Sequence, residues 1–176
     1  MERLNLKHLR ETFTDEEWQY LPASSFSSTQ FNPLEPKVED LFNEDLKLPG
    51  CLTLVFKDGH RISSDKDPLP EGVEILDLKE AFHKRPEAIQ TLLDLPESAS
   101  QHSLSQFIAA LAGEGVWIRI AAGTRVTQPI QILHLSERQD QLSVLRHFIQ
   151  LEKNAEATLI ESHVGKNQTP YLALSM

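Results

Sequence analysis

Val116-Trp117-Ile118-Arg119-Ile120, then 129–135 (PIQILHL), then 144–151 (VLRHFIQL), then 157–164 (ATLIESHV) follow one another through the last third of the chain. Each stretch is rich in β-branched and aromatic residues, alternates in polarity, and is too short for a stable helix. Turn formers separate them, with Ala122-Gly123-Thr124 after the first and Lys153-Asn154-Ala155-Glu156 between the last two. The strands recur roughly every 14 residues with no helical pattern between them. A ferredoxin-like or doubly wound fold needs those helices, so a sandwich, a barrel or a β-solenoid remains.

Working back towards the N-terminus, the pattern changes near Gly113-Glu114-Gly115. Ser103-x-x-Gln106 opens a helix whose apolar face is Leu104, Phe107, Ile108 and Leu111. Short helices are predicted over 78–84 and 86–94. Leu52-Thr53-Leu54-Val55-Phe56, a Lys57-Asp58-Gly59-His60 turn and Arg61-Ile62 read as a hairpin, because Asp-Gly suits a tight turn. Val73-Glu74-Ile75-Leu76 reads as a third strand, expected to join that hairpin. Val38, Leu41, Phe42 and Asp45 fall at helical spacing before Pro49-Gly50. Thr14-Asp15-Glu16-Glu17 has capping-box form ahead of Trp18 and Leu21, and Leu4, Leu6 and Leu9 suit a short helix. The expectation is an α+β, mainly β chain: a helical region with a small hairpin over 1–115, and an all-β region over 116–176.

Charge divides at the same place. Of 17 basic and 26 acidic residues in the 176-residue chain, the segment from Val116 onward carries 6 and 5. The net charge of −9 therefore belongs to the front. An acidic chain is a poor general ligand for nucleic-acid phosphates or anionic membranes, so neither is an expected partner. One cysteine, Cys51, excludes an internal disulfide framework. No apolar run approaches the ~18–20 residues of a membrane span, and the charged N-terminus is unlike a signal peptide. A cytoplasmic protein is expected.

Candidate chemistry is sparse. His134, His147 and His163 lie on three of the rear strands, and Glu161 shares a face with His163 by period two. Histidine with carboxylate is a common metal set. The spacing lacks the two closely placed histidines of a cupin-type motif, and the plainer reading is a polar outer strand face. Arg119, Arg125, Arg138 and Arg146 are scattered among acids and form no phosphate clamp. Seven dispersed glycines make no phosphate loop. Ser103 and Ser105 suit a helix start, Glu16 and Glu17 a helix N-terminus, and Cys51, Trp18 and Trp117 suit packing.

Three stretches resemble one family. Asp15-Glu16-Glu17-Trp18-Gln19-Tyr20 is similar to an Asp-Glu-x-Trp-[Arg/Lys]-Tyr stretch of the SufB/SufD family, with Gln19 where a basic residue is usual. Gly115-Val116-Trp117-Ile118-Arg119-Ile120, with Gly123 and the stretch 127–134, resembles its Gly-x-aromatic-Ile stretch followed by Pro-Ile. Residues 151–165 resemble its later turn and strand. The resemblance is strongest to the SufD branch. It implies a non-catalytic scaffold of the Suf iron–sulfur cluster assembly complex, with SufB-like and SufC-like (ATPase) partners. It also implies a right-handed parallel β-helix (solenoid) whose first coils are the rear strands.

Members run to several hundred residues, so the chain is expected to be an N-terminal portion that continues past Met176, with an open end that self-associates. The resemblance carries no catalytic, cofactor or metal residue onto this segment. The rival readings are a metal-binding β-roll enzyme using His134, His147, Glu161 and His163, and a free-standing binding solenoid.

Overall fold

The computed structural model describes residues 4–5, 30–31, 42–62, 68–93, 113–138, 141–165 and 171–175. Two-residue strands β1 (Leu4–Asn5) and β2 (Gln30–Phe31) pair antiparallel. A 3-10 turn at Glu44–Leu46 leads to β3 (Leu52–Lys57) and β4 (His60–Ile62). β5 (Val73–Asp77) runs into α1 (Leu78–Lys84) and α2 (Pro86–Leu93). The remaining strands are β6 (Val116–Ile120), β7 (Ile130–Ser136), β8 (Gln141–Leu145), β9 (Phe148–Leu151), β10 (Leu159–Gly165) and β11 (Tyr171–Ser175).

The β3–β4 hairpin follows its sequence signal. Asp58 and Gly59 take φ of 48° and 84°, the left-handed pair that a two-residue turn needs to match strand twist. The other strands pair over long distances. The sheet orders are β10-β7-β3-β4, β5-β6-β9 and β11-β8. The β3–β4 and β5–β6 pairs are antiparallel, whereas β3–β7, β7–β10, β6–β9 and β8–β11 are parallel. Strands on either side of Gly115 thus share two of these sheets.

These findings correct the expected fold class. The described residues hold two α-helices and otherwise mixed sheets, with no solenoid, so a helical N-terminal region followed by a right-handed parallel β-helix is not what forms. The physical reason is that tertiary contacts override short local periods. Leu4 and Asn5 are extended against Gln30 and Phe31. Phe42 and Leu46, spaced as on a helix, pack on Val55, Ile62, Leu133 and Leu135 with only a 3-10 turn between them.

Among the rear strands, the parallel pairs join residues about twice as far apart as the recurrence in the sequence. Ile130 sits opposite Leu159, Trp117 opposite Phe148, and Gln141 opposite Tyr171. β5 joins β6 rather than the hairpin. The segment 144–151, read as one strand, breaks at Arg146-His147 into β8 and β9. The expected helices at 14–21 and 104–111 lie outside the described residues.

Alternation sorts the core into two faces of β3 and β7. Leu52, Leu54, Phe56, Ile130 and Ile132 join Val116, Ile118 and Ile120 of β6 in the largest cluster. Val55, Leu133 and Leu135 face the other way, under Phe42, Leu46 and Val164. Both strands are buried along their whole length, which is why they read as apolar runs. Trp117, from the remaining face of β6, packs with Leu78, Ala81, Ile89 and Phe148 and so seats the two helices. Fully burying each such side chain stabilises by about 1.5–3 kcal/mol.

A polar clamp and a close backbone passage fix the frame. Gln131, buried in β7, accepts at Oε1 from Leu48 N (2.9 Å) and Thr53 Oγ1 (3.0 Å). Its Nε2 donates to Leu46 O and Ser162 Oγ, both at 3.3 Å, tying the 3-10 turn, β3, β7 and β10 together. Gly115, with φ of +146°, lets the chain pass against Arg146 so closely that a Cβ would lie 1.7 Å from its carbonyl oxygen. No helix of the described residues is long and apolar enough to cross a membrane.

Candidate functional site

Parallel register builds a row of rings across three strands. Phe56 of β3 is the Cα partner of His134 of β7, and His134 is the partner of His163 of β10. Phe56 and Ile132 lie on the face of the main core, and period two places His134 there as well. The Phe56 and His134 rings stack at 5.7 Å and 21°, and those of His134 and His163 at 4.4 Å and 9°. His147, from the break between β8 and β9, closes the group at 5.1 Å from Phe56 and 5.4 Å from His134.

Glu161 lies two residues before His163, on the same face of β10. Its Oε1 is 3.1 Å from His163 Nε2 and 3.0 Å from His134 Nε2. The two contacts differ in alignment. The first has good hydrogen-bond geometry, whereas the second is as short but less well aligned. One ligand atom from each of His134, Glu161 and His163 lies within 4.8 Å of the others. His134 is 4% exposed, while the Glu161 and His163 side chains are 47% and 42% exposed. The group therefore runs from the core to the surface.

Burial sets the charge state of the inner pair. It lowers the His134 pKa from 6.5 to about 4, helped by repulsion from His163 and opposed by Glu161. Burial likewise lowers His147 to about 4, with His134 repelling it and Glu161 opposing. Both imidazoles are neutral at pH 7. His147 Nδ1 accepts from Val116 N at 3.3 Å, so its proton resides on Nε2 and that nitrogen has no lone pair to offer.

Of the four residues singled out in the sequence, His134, Glu161 and His163 converge, and His147 flanks them without contributing a ligand atom. Their face borders the main core at His134 and reaches the surface at Glu161 and His163. Phe56 was missed, because an aromatic inside an apolar run carries no signal of what it stacks on. The rear arginines are absorbed locally. Arg119 pairs with Glu152 and Glu74, Arg125 with Glu156 and Arg138 with Asp58, while Arg146 lies over the Phe148 ring. Cys51 is partly buried beside β3. Glu16, Glu17, Trp18, Ser103 and Ser105 lie outside the described residues. Chemically, two neutral-capable imidazoles around one carboxylate oxygen can share a proton or hold a cation; neither needs a nucleophile.

Comparison with known proteins places this geometry in context. The family model for the SufBD protein N-terminal region matches residues 25–132. The iron-sulfur cluster assembly protein SufD of Escherichia coli (strain K12) is 25% identical over 86% of this chain, which corresponds to 35% of that protein. The chain thus spans about a third of the length of that curated relative.

Proposed function

The chain belongs to the family of the SufBD protein N-terminal region, and from that membership we propose that it is the N-terminal part of a SufD-like scaffold subunit for iron–sulfur cluster assembly. The match over residues 25–132 carries this reading, since it takes in β3 to β6 and the start of β7. The likeness to an iron-sulfur cluster assembly protein over most of the chain supports it. So does the order of the three sequence motifs, two of which lie wholly outside the matched region.

In this reading the chain works by contact rather than by chemistry. Its β10-β7-β3-β4 sheet, cross-linked by the buried Gln131 bonds, supplies a frame of the kind that positions other subunits. A SufB-like subunit and a SufC-like ATPase are its partners, met through the full-length protein in the cytoplasm. The test is reconstitution. Full-length protein is mixed at micromolar concentration with its SufB-like and SufC-like counterparts and passed over a sizing column. Co-elution in fixed stoichiometry is expected; separate elution of the three would count against the assignment.

A further inference from the structure

We propose that His134, Glu161 and His163 form a binding site for one divalent first-row transition-metal ion, zinc fitting best, taken up as His163 turns out of its stack. The inference is independent of the scaffold reading, because it rests on three side chains and not on family membership.

The donor set is the first ground. Two imidazole nitrogens and a carboxylate oxygen suit borderline ions such as Zn²⁺ and Co²⁺, and leave one tetrahedral position for water. Distance is the second. Ligands around a tetrahedral ion with bonds of about 2.0–2.1 Å lie roughly 3.3–3.4 Å apart. Glu161 Oε1 sits 3.0 Å from the His134 nitrogen, within a few tenths of an ångström of that spacing, and 3.1 Å from His163 Nε2 before that ring turns.

The third ground is the state of His134. Its Nε2 is buried and faces the same Glu161 oxygen that His163 Nε2 contacts, 3.0 Å away and off the line of a good hydrogen bond. One carboxylate oxygen thus serves two imidazole nitrogens, and the better-aligned contact goes to His163. An ion satisfies all three atoms. The His134 ring is held between Phe56, His147 and His163, so the inner ligand is oriented in advance. Glu161 and His163 are nearly half exposed and give an ion its way in.

One feature requires movement. An ion lies in the plane of each imidazole that binds it, and planes stacked at 9° cannot both contain one ion 2 Å away. The exposed His163 ring has room to swing, and the buried His134 ring does not. Binding therefore breaks the His134–His163 stack, which supplies a readout that a merely structural cluster would not give.

The experiment uses the tag-free 176-residue chain, stripped with chelator. Zinc is titrated by calorimetry and cobalt by its visible absorption, and imidazole nitrogens are followed by long-range ¹H–¹⁵N NMR. One ion per chain is expected, with a four-coordinate cobalt spectrum and shifts at Nε2 of His134 and His163. Glu161→Gln should weaken binding by about tenfold and His163→Ala by about a hundredfold. Both replaced side chains are well exposed, and circular dichroism checks that the variants keep the fold. His83→Ala, at an exposed helical histidine, should bind as the parent does. No binding at ~100 μM zinc, or equal affinity in the parent, Glu161→Gln and His163→Ala, would overturn the proposal. Shifts confined to other histidines would do the same.

Discussion

Replacing Gly115 with alanine tests the tightest backbone passage in the molecule. The new Cβ would stand 1.7 Å from the Arg146 carbonyl oxygen and 2.7 Å from its carbonyl carbon, where real Cβ contacts begin near 3.0 Å. Nothing flexible lies in the way, so one stretch of backbone has to retreat by more than an ångström. The bonds that cross the passage are Arg146 N to Glu114 O at 3.0 Å and Val116 N to His147 Nδ1 at 3.3 Å. Losing both costs about 1–3 kcal/mol net. The φ of +146° adds about 1–3 kcal/mol for any residue with a side chain. The expected total is about 2–6 kcal/mol, a large share of the ~5–15 kcal/mol that holds a domain folded.

Gly123→Ala is the control, because Gly123 also has positive φ (+72°) but nothing within 4 Å of its would-be Cβ. It should cost only about 1–2 kcal/mol, the conformational part alone. Urea unfolding followed by circular dichroism and by the fluorescence of fully buried Trp117 measures both. With a slope of ~2 kcal/mol per molar, Gly115→Ala should lower the midpoint by about 1–3 M and Gly123→Ala by about 0.5–1 M. Equal losses in the two variants, or a Gly115→Ala protein within about 1 kcal/mol of the parent, would refute the close-approach argument.

Two further substitutions probe the polar devices of the frame. Gln131→Leu keeps the volume but strands Leu48 N and Thr53 Oγ1 and cuts the link to Ser162; we expect a loss of about 2–4 kcal/mol by the same urea assay, and a change below about 0.5 kcal/mol would sink the clamp. Asp58, buried with φ of 48°, accepts at Oδ1 from Glu137 N (2.8 Å) and Arg138 N (3.2 Å). Asp58→Ala should cost about 2–3 kcal/mol, while Asp58→Asn, which keeps an acceptor oxygen and tolerates the left-handed region, should cost under about 1 kcal/mol; identical losses would show that the charge alone matters.

Much of the local structure was legible because its signals are local. Asp58-Gly59 predicts the hairpin, the helices at 78–84 and 86–93 follow their amphipathic spacing, and 116–120 matches β6 residue for residue. What failed depends on partners distant in the chain. The break at Arg146-His147 is invisible in the sequence because the apolar alternation runs straight through it; it arises where Gly115 crosses Arg146 and His147 takes the Val116 amide. The helical front failed because Phe42 and Leu46 find their core through a single tight turn. In the site, period two placed Glu161 beside His163, but only the parallel register of β7 with β10 brings His134 to them. Spacing along the chain carries no record of that register.

The parallel pairing of β3 with β7 also has a consequence for how the chain is made. Thr53 meets Gln131 across a sequence separation of 78. At a synthesis rate of about 5–20 residues per second, β3 leaves the ribosome some ~4–16 s before its main partner exists. Loop closure over such a distance is slow to be rewarded, and an apolar strand buried on both faces is a hazard while it waits. The β3–β4 hairpin is the one neighbour available at once, formed on the microsecond scale by Asp58-Gly59. It covers one edge of β3 from the start and leaves the other for β7, so the short turn acts as a guard on the nascent chain as well as a corner of the finished sheet.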